Sequence, residues 1–234
     1  MFQGKMKAIT FSYDDGVTQD ERLVSILNKY GLKATFNINS ERLGEDGQVI
    51  LYGKPVAHNK IQRSDVKRIY AGHEVAVHTL THPNLTQVEE PEVVRQVEED
   101  RKNLEQLAGY PIVGMAYPCG GVNNNEVVAD ILRKQTKVQY ARTITSTFSF
   151  APQTNLHQFH PTVHHLDKDA MLRLAKEFLE MKPDTPQLFY IWGHSYEFDG
   201  QDDWAWFEDF CKLISGKEDI FYGTNKEVLL NGGI

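Results

Sequence analysis

Short apolar, β-prone runs alternate along the chain with stretches in which apolar residues recur every three or four positions. The strand-like runs are 7–13, 33–39, 74–78, 112–117, 138–145, 159–164, 188–192 and 220–222. The helix-patterned stretches between them are 19–30, 91–107, 126–134, 167–181, 203–214 and 225–230. Leu23, Ile26 and Leu27 form the stripe of a helix packed on a sheet, and Val93, Val94, Val97, Leu104 and Leu107 repeat it along the longest helix. Pro91 fits a first helical turn, Asp167 and Asp203 fit N-caps, and Gly31 and Gly109 fit helix stops. Strands that alternate with helices imply a parallel sheet. The pattern predicts an α/β fold: a distorted or incomplete (β/α) barrel of about seven to eight parallel strands, forming a single domain over 1–234. The stretch 42–63 has no period and carries Gly44, Gly47, Gly53 and Pro55, so it reads as a loop excursion from the barrel.

Composition narrows the partners more than the fold. With 25 basic and 32 acidic residues the net charge is −7, which argues against nucleic acid or an anionic membrane and leaves a neutral or cationic glycan open. Cys119 and Cys211 have no metal-type spacing and read as free thiols. No apolar run approaches the roughly 18 residues of a membrane span, so no membrane insertion is expected. Residues 1–7 run into the first strand without the apolar region of a signal peptide. The expectation is a cytoplasmic protein, or an exported one if a leader has been removed. The oligomeric state is left open.

Reactive side chains of such barrels come from the C-terminal ends of strands. Asp14-Asp15-Gly16 follow the first strand, His78 ends the third, 117–121 follow the fourth and His194 follows the seventh. Adjacent carboxylates repel unless a cation or a shared proton intervenes. Two histidines four apart, His78 and His82, can face one point and are typical ligands of a divalent metal. Each group alone has an ordinary reading: a turn and helix cap for Asp14-Asp15-Gly16, a loop imidazole for His82. Gathered at one face of a barrel, they predict one carboxylate and two imidazoles around a metal, with a spare aspartate beside it.

Ser12-Tyr13-Asp14-Asp15-Gly16 resembles the T-F-D-D-G motif of the NodB-like polysaccharide deacetylases, carbohydrate esterase family 4. His78-Thr79-Leu80-Thr81-His82 matches their H-[ST]-x-x-H motif, and Trp192-Gly193-His194 resembles their late L-x-H. Order and spacing agree over essentially the whole chain. The resemblance implies Asp14 as catalytic base, Asp15, His78 and His82 as ligands of one divalent metal ion, and His194 as general acid. It also implies the reaction: metal-dependent hydrolysis of carbon–nitrogen amide bonds other than peptide bonds, deacetylating N-acetylated amino sugars in a polysaccharide or oligosaccharide. Zinc suits such a ligand set, and cobalt, nickel or iron would be accommodated by the same donors.

The chain departs from the family at its third motif, R-x-P-Y, where it has Ala116-Tyr117-Pro118-Cys119. The resemblance makes the Cys119 N–H the oxyanion donor. It also leaves Ala116 in place of the arginine that holds the catalytic aspartate. The fourth motif, D-x-x-D-W, has no match between 138 and 181. Either another residue took over the arginine's work or activity is altered. Arg142, in Tyr140-Ala141-Arg142-Thr143, is the candidate substitute, because a charge within an apolar strand needs a partner. The other reading is a strand-edge arginine reaching solvent.

Tyr117, Cys119, Arg142 and Trp192 are the expected substrate-binding residues. Trp192 and Tyr196 are favoured by position as sugar platforms, whereas helix packing explains Trp204 and Trp206 at least as well. Of His160, His164 and His165, at least two are expected to be solvated or structurally bonded. Two further functions fit the same residues: hydrolysis of a small cyclic or linear amide, and glycan binding by a pseudoenzyme. Retention of both aspartates and all three histidines counts against the pseudoenzyme, since a binding module needs no base.

Overall fold

Every residue of the first strand, β1 (Lys7–Asp14), is buried, because helices cover one face of the sheet and the barrel interior lies against the other. The computed structural model describes residues 2–230. After β1 come α1 (Asp20–Lys29), β2 (Ala34–Ile38), β3 (Gln48–Leu51), β4 (Lys54–Ala57), α2 (Val66–Ile69), β5 (Glu74–Val77), α3 (Glu90–Ala108), β6 (Gly114–Ala116), α4 (Glu126–Gln135) and β7 (Tyr140–Arg142). The second half adds β8 (Val163–His164), α5 (Lys168–Glu180), β9 (Gln187–Gly193), α6 (Glu197–Gln201), α7 (Trp204–Ile214), β10 (Ile220–Tyr222) and α8 (Asn225–Leu229).

The main sheet runs β7-β6-β5-β2-β1-β9-β8, all pairs parallel. β10 takes the Lys7–Ile9 part of β1 and leaves Phe11–Asp14 to β2. The curled sheet is nearly closed by 159–164. Phe159 exchanges backbone hydrogen bonds with β7 and the residue after it, donating to Ala141 and accepting from Thr143 (2.9 Å each), while Val163–His164 pair with β9. Pro161, which has no N–H for a ladder, sits where the segment changes neighbours. One expected strand is therefore two short pairings. The result is the expected distorted (β/α) barrel. Among the described residues no helix is long and apolar enough to cross a membrane.

The 42–63 excursion is structured, which its sequence did not predict. β3 and β4 form an antiparallel hairpin turned by Tyr52 and Gly53, with φ of 52° and 76°, the positive pair of a type I′ turn. Four-residue strands are too short to display a period, and Pro55 disguises the second. Beyond the hairpin, Val17 and Lys60 form an antiparallel bridge, and Ile61 N–H donates to the Gly16 carbonyl (3.0 Å). The excursion thus returns beside the end of β1. Two cap expectations divide. Asp167 accepts from Ala170 N–H at 3.2 Å, whereas the carboxylate of Asp203 turns to Lys168 at 2.5 Å.

Candidate active site

Asp14 is the last residue of β1 and pairs in register with Asn37 of β2, whose Nδ2 donates to Asp14 Oδ1 at 2.8 Å. The other carboxylate oxygen, Oδ2, accepts from the Arg142 guanidinium. Arg142 is wholly buried, stacks 4.4 Å over the Trp192 ring, and donates a second bond to the Thr143 carbonyl at 3.1 Å. Its Cα partner in the β6–β7 pairing is Ala116. The guanidinium thus reaches Asp14 from the strand next to Ala116, at the same level of the barrel. Burial raises the pKa of Asp14. Arg142, then His78 and His194, more than reverse this and hold it below the ordinary value.

Asp15 turns away with φ of 84°, its N–H bonded to the Asn37 carbonyl at 2.9 Å. Gly16 follows at φ 63°, where a Cβ would lie 2.8 Å from Ile38 Cγ2, so the turn requires glycine. Asp15 Oδ1 faces His82 Nε2 at 3.6 Å and His78 Nε2 at 3.9 Å. Oδ2 accepts from His58 Nε2 at 3.1 Å, and Lys60 Nζ donates to the Asp15 carbonyl at 2.8 Å while lying 3.6 Å from Oδ1. Burial opposes ionisation of Asp15. The His58 hydrogen bond and the charge of Lys60 lead the groups that nonetheless push its pKa well below the carboxylate range.

The donor set fits a divalent ion. One ligand atom each from Asp15, His78 and His82 lies within 4.8 Å of the other two. His78 Nδ1 donates to the Ala116 carbonyl at 2.9 Å, which leaves the Nε2 lone pair facing Asp15. Asn39 Nδ2 ties down the loop by donating to the carbonyls of His78 (2.5 Å) and Thr79 (2.8 Å). Burial lowers the pKa of both histidines, that of His82 to about 4, so each is neutral with a lone pair to give.

A second cluster, His164, His165 and Glu197, has comparable spacing and a different character. His164 Nδ1 accepts from Leu166 N–H at 3.2 Å, so its proton lies on Nε2, directed at Glu197 Oε2 3.5 Å away. His165 Nε2 donates to the same oxygen at 2.8 Å, as does the His194 N–H at 3.0 Å. Both imidazoles therefore present protons to Glu197 and no lone pair to a metal. Gly193 makes room for the His165 ring, since a Cβ there would lie 2.7 Å from it. His160 is bonded to Thr143 Oγ1 at 2.6 Å. All three clustered histidines are structurally bonded.

His194 Nδ1 lies 3.3 Å from Glu197 Oε2. Burial alone would lower the His194 pKa; Glu197, with Asp15 and Asp14 behind it, raises it to about 9. The sign is that of a histidine gaining an anion, so the imidazolium persists through neutral pH and is lost as pH rises through that value. In the metal-free protein, the His194 ring should titrate by NMR near pH 9. Glu197→Gln should bring this down by more than about one unit. An unshifted titration would remove Glu197 from the site's electrostatics.

These groups meet at a cavity of about 280 Å³. Asp14, Asp15, His78, His82 and His194 line it, with Tyr117, Cys119, Ile144, Trp192 and Tyr196 as further walls. Tyr117 is held by its hydroxyl, which donates to the His157 carbonyl at 2.7 Å. Cys119 adopts φ of 69°, and its thiol donates to the His82 carbonyl at 3.4 Å. Trp204 is buried with its Nε1 donating to Asp199 at 2.7 Å, and Trp206 stacks on Phe210, so both belong to helix packing. A larger groove of about 750 Å³ lies beyond the opposite ends of β6 and β7 and holds none of these residues.

His58, Lys60, Asn37 and Glu197 were not predicted. Glu197 stands three residues after His194, a spacing that favours pairing across one turn. Asn37 sits mid-strand in an apolar run, a position where a polar side chain needs a partner. His58 and Lys60 gave no signal, because the excursion whose return carries them shows no period in the sequence.

Two aspartates and three histidines thus meet at the C-terminal ends of the strands of a parallel barrel. Residues 3–141 match the family profile described as polysaccharide deacetylase, and the chain belongs to that family, as a NodB-like member of carbohydrate esterase family 4. It is 26% identical over 137 residues to the peptidoglycan-N-acetylmuramic acid deacetylase PdaC of Bacillus subtilis, covering 58% of this chain and 25% of that protein. It is 29% identical over 122 residues to a peptidoglycan-N-acetylglucosamine deacetylase of Bacillus cereus, covering 51% of this chain and 38% of that one. The matches thus span well under half the length of these relatives.

Among solved structures, the carbohydrate esterase domain of a multidomain xylanase from the hindgut metagenome of Trinervitermes trinervoides superposes with a TM-score of 0.63 at 14% identity, over 97% of this chain and 92% of that one. A family 4 carbohydrate esterase of Streptomyces lividans in complex with acetate gives 0.56 at 14% identity, over 94% and 92%. A family 4 pseudoenzyme of Bacillus anthracis gives 0.55 at 16% identity, over 95% and 65%. The fold is shared with a pseudoenzyme as well, so turnover has to be argued from the side chains.

Proposed function

We propose that this protein is a metal-dependent hydrolase that removes acetyl groups from N-acetylated amino sugars of a polysaccharide or oligosaccharide. The observation that carries this reading is the Arg142–Asp14 pair. A buried arginine brought in from the strand next to Ala116 restores the contact that the altered third motif lost. A binding module has no use for a carboxylate so held, which favours turnover over the pseudoenzyme.

Asp15, His78 and His82 would hold the divalent ion, which when bound supplies Lewis-acid polarisation of a carbonyl and lowers the pKa of a water. Asp14, ionised and fixed by Arg142 and Asn37, accepts a proton from the water that attacks the acetamide carbon. His194, kept protonated by Glu197, gives its proton to the amine nitrogen as the carbon–nitrogen bond breaks. Acetate and the free amino sugar leave. Trp192, Tyr117 and Tyr196 offer aromatic walls to the sugar, and the Cys119 N–H serves the developing oxyanion.

His78→Ala should lose metal and activity together. Metal content by mass spectrometry checks this, and full occupancy in the variant would overturn the ligand assignment. The reading as a whole is tested by acetate release from N-acetylglucosamine oligomers, peptidoglycan and small amides. Release from the glycans supports deacetylation. Ring opening of a cyclic amide without acetate would move the reaction to that substrate class, and glycan binding without turnover would make the protein a pseudoenzyme.

A further inference from the structure

Among the described residues, three acid–base contacts each join a side chain on the cavity wall to one behind it. Asp14 is paired with Arg142, Glu197 with His194, and Asp15 with Lys60. The first two pairs fit the base and acid roles. The third has no place in them. Lys60 is 3% exposed, and its ammonium approaches Asp15 on the oxygen that also faces His78 Nε2 and His82 Nε2. The other oxygen of Asp15 is taken by His58. The lysine is delivered by backbone pairing: Lys60 bridges Val17, and Thr18 N–H donates to the Asn59 carbonyl at 2.8 Å. A buried ammonium persists only where it is compensated, and Asp15 provides both the carboxylate and the carbonyl that do so.

We infer that Lys60 is a built-in counter-cation of the metal site, competing with a divalent ion for the Asp15 carboxylate and so setting how tightly the site binds metal. This rests on Asp15, His78 and His82 being the ligands. An arriving ion meets an Asp15 carboxylate already compensated by Lys60 and is repelled by the ammonium beside its own ligand. In the metal-free protein the same ammonium holds the Asp15 carboxylate and carbonyl in place. Lys60 therefore stabilises the empty site and weakens the filled one.

The test is calorimetric titration of the metal-free protein with zinc chloride at neutral pH, for wild type, Lys60→Gln, Lys60→Met and His78→Ala, with thermal unfolding of each. Glutamine keeps a donor for the Asp15 carbonyl while removing the charge. Lys60→Gln should bind zinc at least about tenfold more tightly than wild type. Its metal-free form should melt lower, and its zinc-induced rise in Tm should be larger. Lys60→Met checks the same signs should one variant fail to fold. A lysine that merely props up the loop predicts the opposite, so unchanged or weaker zinc binding by a folded variant overturns the inference alone. Zinc binding by neither wild type nor the Lys60 variants, or undiminished binding by His78→Ala, overturns the ligand assignment and the inference with it.

Discussion

Asp14→Asn should lower turnover by a factor on the order of 10² or more while metal content stays at the wild-type level. The amide has nearly the shape of the carboxylate and its oxygen can still accept from Arg142, but its NH2 would face the Asn37 donor and it cannot accept the proton from the attacking water. Asp14 is not among the three side chains whose ligand atoms converge, so the ion should be unaffected. Steady-state kinetics and metal analysis on one preparation check both halves. Wild-type turnover in the variant would rule out Asp14 as the base, and loss of the metal would make it a ligand.

Arg142→Met should be the most destabilising of these substitutions, by about 3–5 kcal/mol, because removal of one partner leaves the other charge buried and uncompensated. Arg142 is fully buried and Asp14 is 2% exposed, so methionine leaves the carboxylate without its charge partner. The stacking on Trp192 is lost as well. Arg142→Lys keeps a charge but has no planar fork to span Asp14 and the Thr143 carbonyl, and should show reduced turnover with intact metal content. Adding Asp14→Asn to Arg142→Met should recover much of the stability and none of the activity, since it removes the orphaned charge. Urea unfolding gives the energies. A loss below about 0.5 kcal/mol for Arg142→Met would mean that the pair does not hold the barrel end together.

The barrel was legible because its helices are amphipathic and its strands are continuous apolar runs, as at Leu23–Leu27 and along β1 and β9. The hairpin was not, since β3 and β4 are short, mostly exposed and interrupted by Gly53 and Pro55. The metal-ligand candidates could be read from a strand end and a four-residue spacing, features local in sequence. Arg142 could be suspected from its burial within a strand, but its partner is 128 residues away and only the register of β6 and β7 aligns it with Ala116. Glu197 reaches His194 through a turn, and His58 and Lys60 reach Asp15 through the return of the excursion to β1, geometry that their residue types alone do not encode.

The central claim is amide hydrolysis at a metal held by Asp15, His78 and His82 with Asp14 as base. Its most direct test is acetate release and metal content measured on the same samples of wild type, His78→Ala and Asp14→Asn after reconstitution with zinc. The account predicts metal and acetate from wild type, neither from His78→Ala, and metal with about 10²-fold less acetate from Asp14→Asn. Acetate release by metal-free His78→Ala at the wild-type rate, or none from fully loaded wild type on any N-acetylated glycan, would contradict it.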